Sequence, residues 1–307
     1  MELGFGVPVA GAWATPANQV RVARRAEDLG YRSLWTFQRL VVPEVPDERS
    51  GAPYYQQVQD AVVPLAFLAG QTSRIRLGTA VLIVPFFSPA LLAKQLATLD
   101  IVSEGRLEVG LGIGWSRTEY AAVGAPFERR GARAEEFLAA LRALWTGEVA
   151  SYQGEFYRLP PARMAPRPVQ RPHPPLLLGG TAKPALRRAG RLADGWVSGS
   201  TADLTRIGES IEVVRDAARQ AGRDPDRLRF VCRGAVKVRP AGQPDRAPLS
   251  GSLAEIRGDL DTLAAQGVTE VFVDLNFDPQ IGAPDTDPAE ALRRAEEALE
   301  ALAPSRA

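Results

Sequence analysis

Histidine is almost missing from this chain. Of 307 residues only His173 is a histidine, and it stands between Pro172 and Pro174. A metal centre built on several histidines is therefore excluded, and a Ser-His-Asp triad would have to pass through that one loop. Cysteine is equally scarce. Cys232 has no second cysteine to pair with, and it lies within the predicted strand Leu228–Val238, where a buried thiol is expected rather than a nucleophile. An excess of either charge is lacking too: 37 Lys and Arg stand against 36 Asp and Glu, so no electrostatic case exists for nucleic acid or an anionic membrane. No apolar run reaches the roughly 20 residues of a membrane-spanning helix. The chain opens directly into a strand, without a basic or apolar leader, so a cytosolic protein is expected.

What is present is alternation. Residues 75–115 hold a continuous apolar strand, a helix with Leu92, Leu96 and Leu99 on one face, and a second apolar strand ending in Gly110, Gly112 and Gly114. Strands apolar on both faces belong to parallel sheets covered by helices, and a parallel return needs a crossover of this length. The same rhythm predicts eight strands: Leu3–Val9, Ser33–Phe37, Ile75–Val84, Leu107–Ile113, Pro175–Gly179, Gly195–Ser198, Leu228–Val238 and Thr269–Leu275. Helical patterns separate them, with glycines read as helix ends at Gly30, Gly105, Gly190 and Gly267. The expected fold is a (β/α)8 TIM barrel with loop insertions, a single domain over residues 1–307; an open doubly wound sheet is the alternative. Two segments break the rhythm. Val41–Gln59 carries three prolines and Tyr54-Tyr55. Residues 147–175 read as a hairpin turning at Gln153-Gly154, followed by seven prolines between Pro160 and Pro175. Both are expected to be insertions over the site.

Active sites on such sheets lie at the carboxyl ends of the strands, which directs attention to Thr79, Ala80 and the glycine run through Gly114. Gly179, Gly180 and Thr181 precede Lys183-Pro184 at the start of a helix. A glycine turn lets backbone approach a ligand, and free amides at a helix start favour a phosphate, although an ordinary strand-to-helix turn looks the same. Trp115 and Tyr120 are candidates to stack on a flat ring or simply to pack. Asp60 reads as a helix cap, and Arg129-Arg130 and Arg187-Arg188 as solvated helix faces. Glycine-lined strand ends with few acid–base groups suggest that a cofactor carries the chemistry.

These motifs resemble the luciferase-like flavin and deazaflavin oxidoreductases, most closely the branch that uses coenzyme F420. The matching stretches are residues 24–35, 72–85, 88–115, 119–147 and 174–196. The resemblance implies a ring held at the carboxyl ends of the strands, beside Gln38 and Thr79, with a non-prolyl cis peptide at Ala80–Val81 behind it. It implies that Ile113 and Gly114 flank the ring or its side chain, that Gly179, Gly180 and Thr181 hold the phosphate, and that the chain forms a homodimer acting on a small-molecule substrate. The sugar-phosphate dehydrogenases of the family carry an Asp-His pair after the second strand and a Glu after the fourth; here those positions read as Gln38-Arg39 and Trp115. Reduction of an activated C=C or C=N bond by reduced coenzyme F420 is therefore expected, with a proton from water or from Tyr54 or Tyr55. No catalytic residue is assigned and no metal is expected. One alternative is a two-component monooxygenase using reduced FMN; another is a non-catalytic barrel that binds flavin or a small ligand.

Overall fold

In the computed structural model, which describes residues 1–47 and 50–305, eight parallel strands close into a barrel. They are β1 (Glu2–Gly6), β2 (Ser33–Thr36), β3 (Arg76–Thr79), β4 (Leu107–Gly112), β5 (Leu176–Gly179), β6 (Gly195–Val197), β7 (Arg229–Ala235) and β8 (Glu270–Asp274). Each pairs with its sequence neighbours, and β8 returns to β1 through Leu3↔Val271, which closes the ring. The expected barrel is the observed one, and the open sheet is excluded by that last pairing. The covering helices are α1 (Pro16–Leu29), α2 (Val63–Ala69), α3 (Pro89–Val102), α4 (Arg130–Thr146), α5 (Lys183–Leu192), α6 (Ile207–Gln220), α7 (Leu253–Ala265) and α8 (Pro288–Ala301). No helix among the described residues is long and apolar enough to cross a membrane.

Local chemistry explains the boundaries. Thr15 caps α1 by accepting from the Asn18 amide at 3.2 Å, and Gly30 ends that helix at φ 86°. Ser252 and Glu255 form a full capping box on α7. Asp60 accepts from the amides of Val62 and Val63, the cap expected of it. Arg106 turns away from solvent and donates to the carbonyls of Ala69, Thr72, Ile75 and Ser103, tying the floor of β4 to the end of α2. Gly190 does not end a helix. It lies inside α5, where a Cβ would stand 2.1 Å from the Val214 carbonyl oxygen, so its role is the close approach of α5 and α6.

The barrel interior is layered. Trp35 fills the middle, stacked on Phe272 at 5.2 Å, and Gly78 leaves room for it, since a Cβ there would stand 2.4 Å from the indole. Below lies a ring of charge at the amino ends of the strands: Glu108 and Glu270, both fully buried, among Arg32, Arg76 and Arg229.

The two irregular segments part company. The loop after β2 does cover the carboxyl ends: Gln59 donates to the Val9 carbonyl, and Tyr55 packs against Phe37, Phe277 and Trp115. Within this segment, Glu48 and Arg49 lie outside the described residues. Residues 147–175, expected over the site as well, instead lie along the outer helix layer. The strands Ala150–Gln153 and Arg158–Ala162 form a hairpin with a 154–157 turn, whose amides donate to Glu136 on α4. The proline-rich return is held by Asp100 of α3, which accepts from the amides of Val169 and Gln170. The reason is physical: the segment leaves from the foot of α4, at the barrel's amino end. His173 stays there, its ring 5.9 Å from that of Trp145, and has no part in the site.

Candidate functional site at the carboxyl ends of the strands

The peptide between Ala80 and Val81 is cis, as the resemblance implied. The chain then runs on as the short strand Leu82–Ile83, which pairs with Leu111 and Gly112 of β4. This displaced segment explains the glycine run. A Cβ at Gly110 would stand 1.9 Å from the Thr79 carbonyl oxygen, one at Gly112 would stand 2.5 Å from Val81, and one at Gly114 would stand 2.8 Å from Ile83. These glycines make room for protein, where the sequence suggested room for a ligand. Gly114 is needed a second time, because its φ is 66°.

Thr79 is likewise committed. Its hydroxyl accepts from the Gly110 amide at 3.0 Å and donates to the Gly110 carbonyl at 2.9 Å, bridging β3 and β4. Gln38 accepts from the Ile83 amide at 2.8 Å and so fixes the far side of the cis segment. Among the residues named from sequence, Ala80 is buried, while Gln38, Val81, Ile113, Gly114, Gly179 and Gly180 line the mouth half-buried and Thr181 is exposed. The structure thus brings all nine to one end of the barrel, but gives Thr79, Gln38 and the glycines of β4 structural partners.

The turn after β5 is held from below. The Trp196 indole donates to the Gly180 carbonyl at 2.8 Å. Gly180 has φ 132°, and a Cβ there would stand 2.6 Å from that of Ala185, so a larger side chain would disturb the turn before any ligand is considered. The α5 N-terminus that follows has no side-chain cap at Ala182. Beside it, Gly199 after β6 has open space where a Cβ would project. Arg188, read from sequence as a solvated face, is buried and pairs with Glu135 at 3.1 Å.

Two arginines dominate the electrostatics of this mouth. Arg233 of β7 is buried, donates to the Ala80 carbonyl, and lies 3.3 Å from Asp274. Burial lowers the pKa of Arg233, and burial raises that of Asp274 against the opposing pull of Arg233 and Asn276. Asn276 also donates to Val7 and accepts from Val9 and Ala10, pinning the β1 loop over β8. The second is Arg39, also buried, whose Nη1 lies 3.3 Å from Glu119. Glu119 accepts from the Leu40 amide at 2.6 Å as well. A carboxylate therefore does follow the fourth strand, four residues beyond Trp115. Sequence reasoning missed it, although Ser116 three residues earlier completes a helix-start pattern; Ser116 does accept from the Glu119 amide. Tyr120 is packing and not a ring platform: it is buried, and its hydroxyl donates to the Ile113 carbonyl.

Residues 4–259 match the family model described as luciferase-like monooxygenase. The chain belongs to that family. An uncharacterized protein of Mycobacterium tuberculosis is 37% identical over 80% of this chain and 93% of its own. An F420-dependent glucose-6-phosphate dehydrogenase of Amycolatopsis mediterranei is 31% identical over 69% of this chain and 63% of its own. An FMNH2-dependent dimethylsulfone monooxygenase of Pseudomonas putida is 36% identical over 54% of this chain and 46% of its own. Among solved structures, a monooxygenase from Streptomyces bottropensis superposes with a TM-score of 0.77 at 24% identity, covering 98% of both chains; this likeness concerns the fold alone. Membership in a luciferase-like oxidoreductase family, with F420-dependent and FMN-dependent members, follows.

Proposed function

We propose that this protein is a deazaflavin oxidoreductase which uses reduced coenzyme F420 to reduce an activated C=C or C=N bond of a small organic molecule. The observation that carries the reading is that Arg39, standing where the resemblance places an acid–base residue of the family's dehydrogenases, is paired with Glu119 at the mouth. Oxidising an alcohol needs a base free to take the hydroxyl proton. Here Gln38 carries an amide and no ionisable group, Arg39 offers only donors, and Glu119 is engaged by a guanidinium and a backbone amide. Reduction asks less, because water can protonate the product anion. The resemblance to the F420-dependent dehydrogenase supports the cofactor assignment. The FMNH2-dependent relative favours a second reading, an FMN-dependent monooxygenase, and the two differ in whether oxygen is consumed.

The residues at the mouth fit a ring with a phosphate tail. Val81, Ile113 and Gly114 form a half-buried wall of apolar and small groups, and the start of α5 beside Gly180 and Thr181 has no side-chain cap, although Pro184 carries no amide hydrogen and the Ala185 amide donates to the Ala182 carbonyl. Bound there, the deazaflavin would supply a hydride; the chain's own part is to hold the ring against Val81. Fluorescence titration with F420 and with FMN tests the assignment, and tighter FMN binding would overturn it. Gly199→Val provides the site test, because the open space around Gly199 lets the fold accept the side chain. The expected result is at least a tenfold loss of cofactor affinity with an unchanged melting temperature. Unchanged affinity would move the cofactor away from the β6 end.

A further inference from the structure

Arg39 is buried at the mouth with most of its donors unused. A guanidinium has five N–H groups. Nη1 faces Glu119, but among the described residues Nε and Nη2 are buried without a hydrogen-bond partner. The Tyr55 and Trp115 rings lie 4.9 and 4.8 Å from Cζ, close enough to attract the cation but unable to accept from its in-plane hydrogens. A buried charge left this way is costly unless another group completes it. Glu119 is itself fixed by the Leu40 amide, so the free edge of Arg39 has a set direction. Trp115, whose ring lies 4.8 Å from Arg39 Cζ, directly follows Gly114 of the proposed ring wall, so Arg39 adjoins the proposed cleft.

We propose that the free Nε–Nη2 edge of Arg39 receives the carbonyl oxygen of the substrate, which is accordingly an alkene conjugated to a carbonyl and not an imine. The assignment rests on the reductive reading above. A hydride reaches the carbon β to the carbonyl, the alkene π pair moves toward the carbonyl oxygen as an enolate, and a proton from water at the α carbon completes the saturated ketone. The hydride donor is the reduced deazaflavin of the proposed function. Charge grows on the oxygen during this step, so a fixed guanidinium stabilises the transition state more than the ground state. A protonated imine would meet the same guanidinium as a like charge.

The test is binding of 4-nitrophenolate, whose oxygen carries charge as the enolate oxygen does and whose absorbance reports its ionisation without any cofactor. Wild type should bind it and lower its apparent pKa. Arg39→Met should bind at least tenfold more weakly while keeping its F420 affinity, and Arg39→Lys should recover part of the loss. If Arg39→Met does not fold, the shift in nitrophenol pKa in wild type against Arg39→Lys decides. No phenolate binding by wild type, or equal binding by the folded variants, overturns the oxygen site. Intact phenolate binding without reduction of enones by reduced F420 supports the oxygen site and sinks the reductive reading alone.

Discussion

At the amino end of the barrel, Glu108 is fully buried among Arg32, Arg76 and Arg229; at the carboxyl end, Asp274 is as deeply buried beside Arg233 alone. Burial by itself would raise both pKa values. The three arginines outweigh burial at Glu108 and hold it below the ordinary carboxylate range, whereas one arginine fails to do so at Asp274, which is raised. The lower ring is also densely paired: Glu270 takes Arg32, Arg229, Ser33 and the Trp35 indole, and Glu108 Oε2, though it lacks a well-aligned hydrogen bond, lies 2.8 Å from Arg229. At the upper end, Nε and Nη2 of Arg39 and Nε of Arg233 have no hydrogen-bond partner among the described residues, and no carboxylate ring surrounds them. A charge network that satisfies its members holds a fold together, while one left short of partners at a strand-end mouth is where another molecule is awaited.

The largest expected effect is at the lower ring. Glu108→Gln leaves the half-buried Arg32, Arg76 and Arg229 with Glu270 as their remaining buried carboxylate, and the loss should be about 3–5 kcal/mol in urea unfolding, the scale for breaking a buried pair from one side. Asp274→Asn should lose roughly 1–3 kcal/mol, because the amide can keep a hydrogen bond to Asn276 while the partly unpaired Arg233 retains the Ala80 carbonyl. Equal losses would remove the contrast between the two ends.

Their pH dependence should run in opposite directions. A lowered folded pKa means that Glu108 contributes fully above its unfolded value of about 4.3 and loses that contribution as pH falls through the folded value. The penalty of Glu108→Gln should therefore shrink in acid. Asp274 has a raised folded pKa, so the native state binds the proton more tightly, and its contribution falls as pH rises from the unfolded value of about 3.9 through the folded one. The penalty of Asp274→Asn should shrink toward neutrality. Urea curves over that range read both slopes, and parallel slopes would contradict the assignment. The smallest effect concerns Cys232 of β7, whose side chain alternates to the opposite face of the strand from Arg233: burial pushes its thiol up to about 12, so a thiol reagent should leave it untouched until the protein unfolds.

The barrel was legible in the sequence because its signal is periodic and local: apolar strands, crossover helices and terminal glycines repeat at readable spacings. The Ala80–Val81 cis peptide came from family likeness, since no residue type announces a non-prolyl cis bond. Partners distant in sequence were not legible. Gly110 and Gly112 looked like ligand space because the segment that fills it lies about 30 residues earlier in the chain, across two strands that diverge. The hairpin at 150–162 was misplaced because its anchor, Glu136, is an unremarkable acid on a helix surface. Nothing in the residues around Arg39 shows which way its side chain points; the distant Glu119 turns it inward.

The most direct test of the functional account is an anaerobic assay in which oxidation of reduced F420 is followed by absorbance with a panel of cyclic enones, alongside oxygen uptake with reduced FMN. The account predicts enone-dependent oxidation of reduced F420, with matching saturated ketone formed and no oxidation of glucose 6-phosphate. Oxygen uptake driven by reduced FMN, with no enone reduction by reduced F420, would contradict it.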